Sequence, residues 1–158
     1  MLYHLLMKII KINFDGCCDN NSKFKFMGVG VATFVENVYE PKFDRYELVG
    51  TNGTSNIAEW SALTLALEES VKAVVEYYKG DVSIRIYGDS QLIVNQFNGE
   101  FQIKHEAFRT FYKRCKDKYI LFGKYIKGVH WIPREQNKEA DVLSKRAVTE
   151  FLVENKML

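Results

Sequence analysis

Residues 8–14 alternate polar and apolar positions with isoleucine enriched, which predicts a strand that stops at the turn dipeptide Asp15-Gly16. Residues 28–35 read as a second strand and residues 46–49 as a third, weaker one, after which Asn52-Gly53 punctuates the chain. Between residues 56 and 79, Leu63, Leu67, Val71, Val74 and Tyr78 recur at helical spacing among charged positions, predicting a long helix that Gly80 closes. Residues 82–87 alternate again. Gly88-Asp89-Ser90 breaks that fourth strand and opens a short helix to Phe97, closed by Asn98-Gly99. A basic helix over 105–121, a fifth strand over 125–132 stopped by Pro133, and a last helix capped by Asn137 and running to Glu154 complete the order. Three meandering strands followed by strands alternating with helices predict an α/β domain, a mixed sheet with helices on its faces.

Composition narrows the class. At 158 residues, 47% hydrophobic and 27% charged, the chain suits one domain over 1–158 with a real core, which excludes a disordered tail. No run approaches the roughly 18 apolar residues of a membrane span, so no membrane partner is expected. Residues 1–7 lack a basic lead and a cleavage site, so they are not read as a signal peptide, and residues 1–6 are set apart as an N-terminal extension. Three cysteines without Cys-x-x-Cys spacing indicate neither a disulfide framework nor structural zinc, and a cytoplasmic location is expected. The net charge of +2 hides an asymmetry: residues 104–146 carry 12 Lys and Arg against 5 Asp and Glu. A basic stretch on an acidic remainder suits a polyanion-binding face beside a cation site, although a solvated helix surface would look the same.

Four acids stand at element ends: Asp15 after the first strand, Glu59 in the first turn of the long helix, Asp89 after the fourth strand, and Asp141 early in the last helix. Each has an ordinary structural explanation. Asp15-Gly16 suits a turn, Asn56-x-x-Glu59 a capping box, Asp89 an N-cap, and Asp141 a favourable place on a helix dipole. Together they say more. In a mixed sheet, the ends of adjacent strands and the starts of helices crowd one edge. Carboxylates gathered there repel and raise one another's pKa unless a cation neutralises them, and hard divalent ions take oxygen ligands. The spacing therefore predicts metal-dependent phosphate chemistry.

The segments Phe14-Asp-Gly16, Ser55-Asn-Ile-Ala-Glu59, Gly88-Asp-Ser-Gln91 and Trp131-Ile-Pro-Arg-Glu-Gln-Asn-Lys-Glu-Ala-Asp141 resemble, in order, the motifs of type 1 ribonuclease H, in the version of its archaeal-like branch. The likeness covers nearly the whole chain. It implies a ribonuclease H-like fold with a five-stranded mixed sheet flanked by helices. It also implies an endonuclease that cuts the RNA strand of an RNA/DNA hybrid with two Mg²⁺ or Mn²⁺ ions, leaving 5′-phosphate and 3′-hydroxyl ends. By resemblance, Asp15 and Asp89 are the central metal ligands, and Glu59 and Asp141 complete the two sites. The same likeness assigns 2′-hydroxyl contacts to the backbone around Gly16 and Cys17 and to Ser55, Asn56 and Gln91. It assigns a DNA-strand phosphate to Thr54 with Asn20 or Asn21. No obligate protein partner is evident, and a monomer is expected.

Two departures from the family pattern stand out. No histidine lies between His130 and Asp141, and Arg134 is the candidate replacement, acting on phosphate through its guanidinium fork; its plain alternative is a surface arginine. His130 itself reads as a packed strand residue. The family's basic protrusion is missing, because residues 98–104 run almost directly into the next helix, where Arg109, Lys113, Arg114 and Lys116 can track phosphates instead. Phe108, Phe111, Tyr112 and Tyr119 on that helix read as core. Cys17, Cys18 and Cys115 are expected to be free thiols. Two other readings compete: a nucleic-acid-binding module on the same fold without catalysis, and a 3′–5′ exonuclease, whose Asp-x-Glu on the first strand Asp15-Gly-Cys17 does not supply.

Overall fold

The computed structural model describes residues 7–21, 23–36, 42–77 and 81–157. The helix stop expected at Gly80 and the extension over 1–6 lie outside them. Five strands form one sheet: β1 (Lys8–Cys18), β2 (Met27–Val35), β3 (Lys42–Gly50), β4 (Val82–Gly88) and β5 (Ile126–Trp131). Among the described residues four α-helices accompany them: α1 (Ser55–Tyr77), α2 (Gln91–Phe97), α3 (Glu106–Leu121) and α4 (Lys138–Glu154), the last preceded by a 3₁₀ turn, Arg134–Gln136. The sheet order is β3-β2-β1-β4-β5, antiparallel from β3 to β1 and parallel from β1 to β5. This is the mixed five-stranded sheet the pattern predicts.

The main core lies on the face of the sheet that α1 covers. Ile10, Ile12 and Phe14 of β1 and Ile84 and Ile86 of β4 point there, against Trp60, Leu63 and Leu67 of α1, all essentially inaccessible to solvent. The period-2 pattern of the strands meets the 3.6-residue period of the helix at this layer. Phe108 is buried in the same core, and Phe111, Tyr112 and Tyr119 pack against it, so the aromatic positions of α3 are structural, as their spacing predicts. The opposite face is covered by α4, which rests on β2, β1 and β3. Its buried residues Ala140, Leu143, Ala147 and Val148 form a layer apart from the main core.

Two expectations are corrected. Asp15-Gly16 is not a turn: β1 continues to Cys18, with Asp15 opposite Gly30 and Gly16 opposite Val29, so the ladder to β2 overrides the local turn preference. The chain reverses later, where the Asp19 amide donates to the Phe26 carbonyl at 2.8 Å. The third strand is also longer than its alternation suggests, because the pairing of β3 with β2 extends it to Lys42–Gly50. The three cysteines are free, and burial pushes the Cys115 thiol up to about 11. Among the described residues, no helix is long and apolar enough to cross a membrane.

Candidate metal centre

The site forms where the parallel pair ends. Phe14 of β1 lies opposite Gly88 of β4, so the next residue along each strand, Asp15 and Asp89, emerges side by side. Glu59 reaches the same point from α1 because the helix start presses on β1. A Cβ placed on Gly16 would lie 2.3 Å from the Ala58 carbonyl carbon and 2.6 Å from the Glu59 nitrogen, so only glycine permits this approach. Carboxylate oxygens of Asp15, Glu59 and Asp89 all lie within 4.8 Å of one another.

Asp141 stands beside this trio rather than within it. Its charge raises the Asp15 pKa, and its own Oδ2 accepts from Lys145 Nζ at 3.1 Å, one helical turn on. A glycine floor sets its position. A Cβ on Gly30 would meet the Ala140 carbonyl oxygen at 2.5 Å and Leu143 Cβ at 2.6 Å. These contacts seat the start of α4 directly over the strand residue paired with Asp15. A Gly30→Ala protein is accordingly expected to lose about 1–3 kcal/mol of stability through overpacking, read from its urea midpoint. An unchanged midpoint would mean that α4 does not depend on this close seat.

Electrostatics mark the cluster. Burial, followed by the neighbouring acids, raises Asp15 from 3.8 to about 7, with the hydrogen bond from Glu59 acting the other way. Burial, then the charge of Asp15, holds Glu59 well above its ordinary value. Both carboxyls are thus held toward their protonated forms. Glu59 Oε2 is buried without a hydrogen-bond partner. Three converging carboxylates, two of them pushed toward protonation and one with an orphaned oxygen, suit a hard divalent cation, which would take the place of the protons.

The other sequence-predicted residues are placed as follows. Thr54 caps α1, its Oγ1 accepting from the Ile57 amide at 3.2 Å, so the capping box expected from Asn56 to Glu59 does not form and Glu59 lies just past the first turn. Ser55 and Asn56 are exposed at the start of α1, and Gln91 is exposed at the start of α2. Ser90, not Asp89, caps α2, its side chain accepting from the Ile93 amide. Gly16 and the half-buried Cys17 lie on β1 beside Asp15. Asn20 and Asn21 are exposed in the turn after it, where the Asn21 amide donates to Asp19 Oδ1 at 3.0 Å. Arg134 is exposed in the 3₁₀ turn. His130 lies in β5 as expected but is exposed rather than packed, its ring 5.4 Å from that of Tyr87.

Asn137 is the residue that reading the sequence misplaced. It stands at the N-cap of α4 but makes no capping bond with its side chain. Its Nδ2 donates instead to the Phe14 carbonyl and to Asp89 Oδ2, both at 2.9 Å. A cap and a site residue look alike in sequence; the signal available was its place in the most specific motif.

A β3-β2-β1-β4-β5 sheet with acids converging at the end of its parallel pair defines a ribonuclease H-like fold. A family model described as reverse transcriptase-like matches residues 42–147, and the chain belongs to that family. Ribonuclease HI of Halobacterium salinarum is 33% identical over 95 residues, 60% of this chain and 44% of its own length. A bifunctional protein of Mycobacterium tuberculosis is 28% identical over 95 residues, again 60% of this chain. The match spans only 24% of that relative's length. Among solved structures, RNase H1 from Halobacterium salinarum superposes with a TM-score of 0.71 at 25% identity, covering 90% of this chain and 98% of that one. LC11-RNase H1, isolated from compost and solved in complex with an RNA/DNA hybrid, superposes with a TM-score of 0.77 at 26% identity, covering 90% and 99%. The resemblance to type 1 ribonuclease H is borne out over most of the chain.

Proposed function

We propose that this chain is a ribonuclease H, an endonuclease that hydrolyses the RNA strand of RNA/DNA hybrids and leaves 5′-phosphate and 3′-hydroxyl ends. The observation that carries the reading is the convergence of Asp15, Glu59 and Asp89 at one strand end. It is supported by the likeness to a ribonuclease H1 solved on a hybrid. Asp15, Glu59 and Asp89 would hold one divalent ion, and Asp15 with Asp141 a second, Mg²⁺ or Mn²⁺. A bound divalent cation supplies a lowered pKa for water and a charge that offsets the one building on the phosphate.

The chain's own groups do the rest. Burial of Asp15 and Glu59 keeps the ligands poised to exchange a proton for a cation. Ser55, Asn56 and Gln91, exposed at two helix starts beside the cluster, offer short polar groups to 2′-hydroxyls, which both donate and accept. The Thr54 hydroxyl accepts from its helix and keeps a proton to donate to a DNA phosphate, with Asn20 or Asn21 nearby in sequence to β1. Arg134, exposed in the turn before α4, presents its guanidinium to phosphate. The chain acts as a monomer in this reading.

The test is cleavage of an end-labelled RNA strand in a hybrid, in Mg²⁺ and in EDTA, with an Asp89→Asn protein and matched double-stranded DNA alongside. Internal cuts confined to RNA, absent in chelator and absent in the variant, are expected. Binding of the hybrid without cutting in Mg²⁺ or Mn²⁺ would replace the nuclease with the binding module.

A further inference from the structure

Asp89 follows the last residue of β4, where no ladder partner fixes it, yet it is held from two sides. Asn137 Nδ2 donates to its Oδ2 at 2.9 Å, and Trp131 Nε1 donates to its main-chain oxygen at 3.1 Å. The orientation of the Asn137 amide is not arbitrary. Its other contact, the Phe14 carbonyl, can only accept, so the NH₂ end must face both. Asn137 is fully buried, and its Oδ1 has no partner, although a buried amide oxygen normally finds one. Helix capping does not account for it, because it makes no side-chain capping bond. Trp131 is equally unexpected: the residue is 43% exposed, so water could serve the indole N–H, but that N–H turns to the Asp89 main-chain oxygen.

We propose that Asn137 and Trp131 form a clamp that holds Asp89 in its ligating orientation before any cation arrives. Both are positioning residues, acting through Asp89. The inference rests on reading the carboxylate cluster as a divalent-metal site. Asn137 joins β1, β4 and α4 at one amide, so docking of the last helix and orientation of the ligand are a single event. Partners of metal ligands commonly contribute 10–100-fold to metal affinity by fixing ligand geometry, on the order of what is expected here.

The experiment is calorimetric titration of Mn²⁺ into the wild type, Asn137→Ala and Trp131→Phe, without nucleic acid, with melting curves in EDTA. Asn137→Ala is expected to weaken Mn²⁺ binding roughly tenfold or more, and Trp131→Phe to weaken it less but in the same direction. Wild-type Mn²⁺ affinity in both variants, whatever their melting temperatures, would overturn the clamp and leave Asn137 a purely structural residue. If Asn137→Ala does not fold, Trp131→Phe decides by the same criterion. Weakened binding supports the clamp even if the wild type cuts no hybrid, an outcome that defeats only the proposed activity. A wild type that binds no Mn²⁺ overturns the clamp.

Discussion

An Asp15→Asn protein is expected to cut a hybrid at least roughly a thousandfold more slowly than the wild type and yet to melt at a higher temperature in EDTA at pH 8. The two effects share one origin. Asp15 sits 4% exposed among Glu59, Asp89 and Asp141, and its ionised form is opposed by burial and by its neighbours. An amide of the same shape removes one buried charge and still accepts the proton of Glu59 through its carbonyl. It is a much poorer ligand for a hard cation. Stability rises while function is lost, the trade expected where a site stores repulsion for a ligand to relieve. The measurement is a pair of melts in chelator beside the cleavage assay. A variant that melts below the wild type would show that Asp15 stabilises the fold rather than straining it.

The second large effect is a pH dependence of the metal-free protein. Asp15 keeps its proton up to about pH 7 in the folded chain, whereas its ordinary value is 3.8. Across that window the folded state binds more protons than the unfolded state, so raising the pH favours unfolding. The stabilisation is complete below the ordinary value and is lost as pH rises through the folded one. Asp15 alone corresponds to a loss of about 4 kcal/mol, and Glu59, raised in the same direction, adds to it. Saturating Mg²⁺ should remove most of this dependence, because the cation takes the place of the protons. Urea midpoints at pH 5 and pH 8, each in EDTA and in Mg²⁺, read the larger part of it, about 2.5 kcal/mol for Asp15. A metal-free midpoint that is flat or rises with pH would mean that the carboxylates are not coupled as their packing indicates.

Much of the site was legible because its residues stand where the hydrophobic pattern stops. Asp15, Asp89 and Asp141 each follow or open an element whose period is plain, and strand ends gather in a mixed sheet. What the pattern could not show was long-range pairing. The Asp15-Gly16 dipeptide reads locally as a turn, and only the ladder to Gly30 and Val29 makes it strand. Glu59 reads as half of a capping box, and only the contact of Gly16 with Ala58 reveals that it faces a buried carboxylate. Asn137 reads as a cap because asparagine before a helix commonly is one; its true partners are 123 and 48 residues away in sequence. The basic stretch over 104–146 was visible as charge. Its aromatic residues proved to be core; Arg109, Lys113 and Arg114 stay exposed, whereas Lys116 is half-buried with its ammonium 4.1 Å from the Phe97 ring centre and is not free to track phosphates.

The separation of the α4 layer from the main core bears on how activity can be switched. The core between the sheet and α1 includes none of the residues of α4. That helix nevertheless brings Asp141, Lys145 and, at its start, Asn137. Partial opening of this one helix would therefore dismantle the site while the rest of the domain stayed folded, and its amides should exchange with solvent sooner than those of β1 and β4. Substitutions confined to the buried face of α4 would then tune how firmly Asp141 and Asn137 are held without rewriting the fold between the sheet and α1.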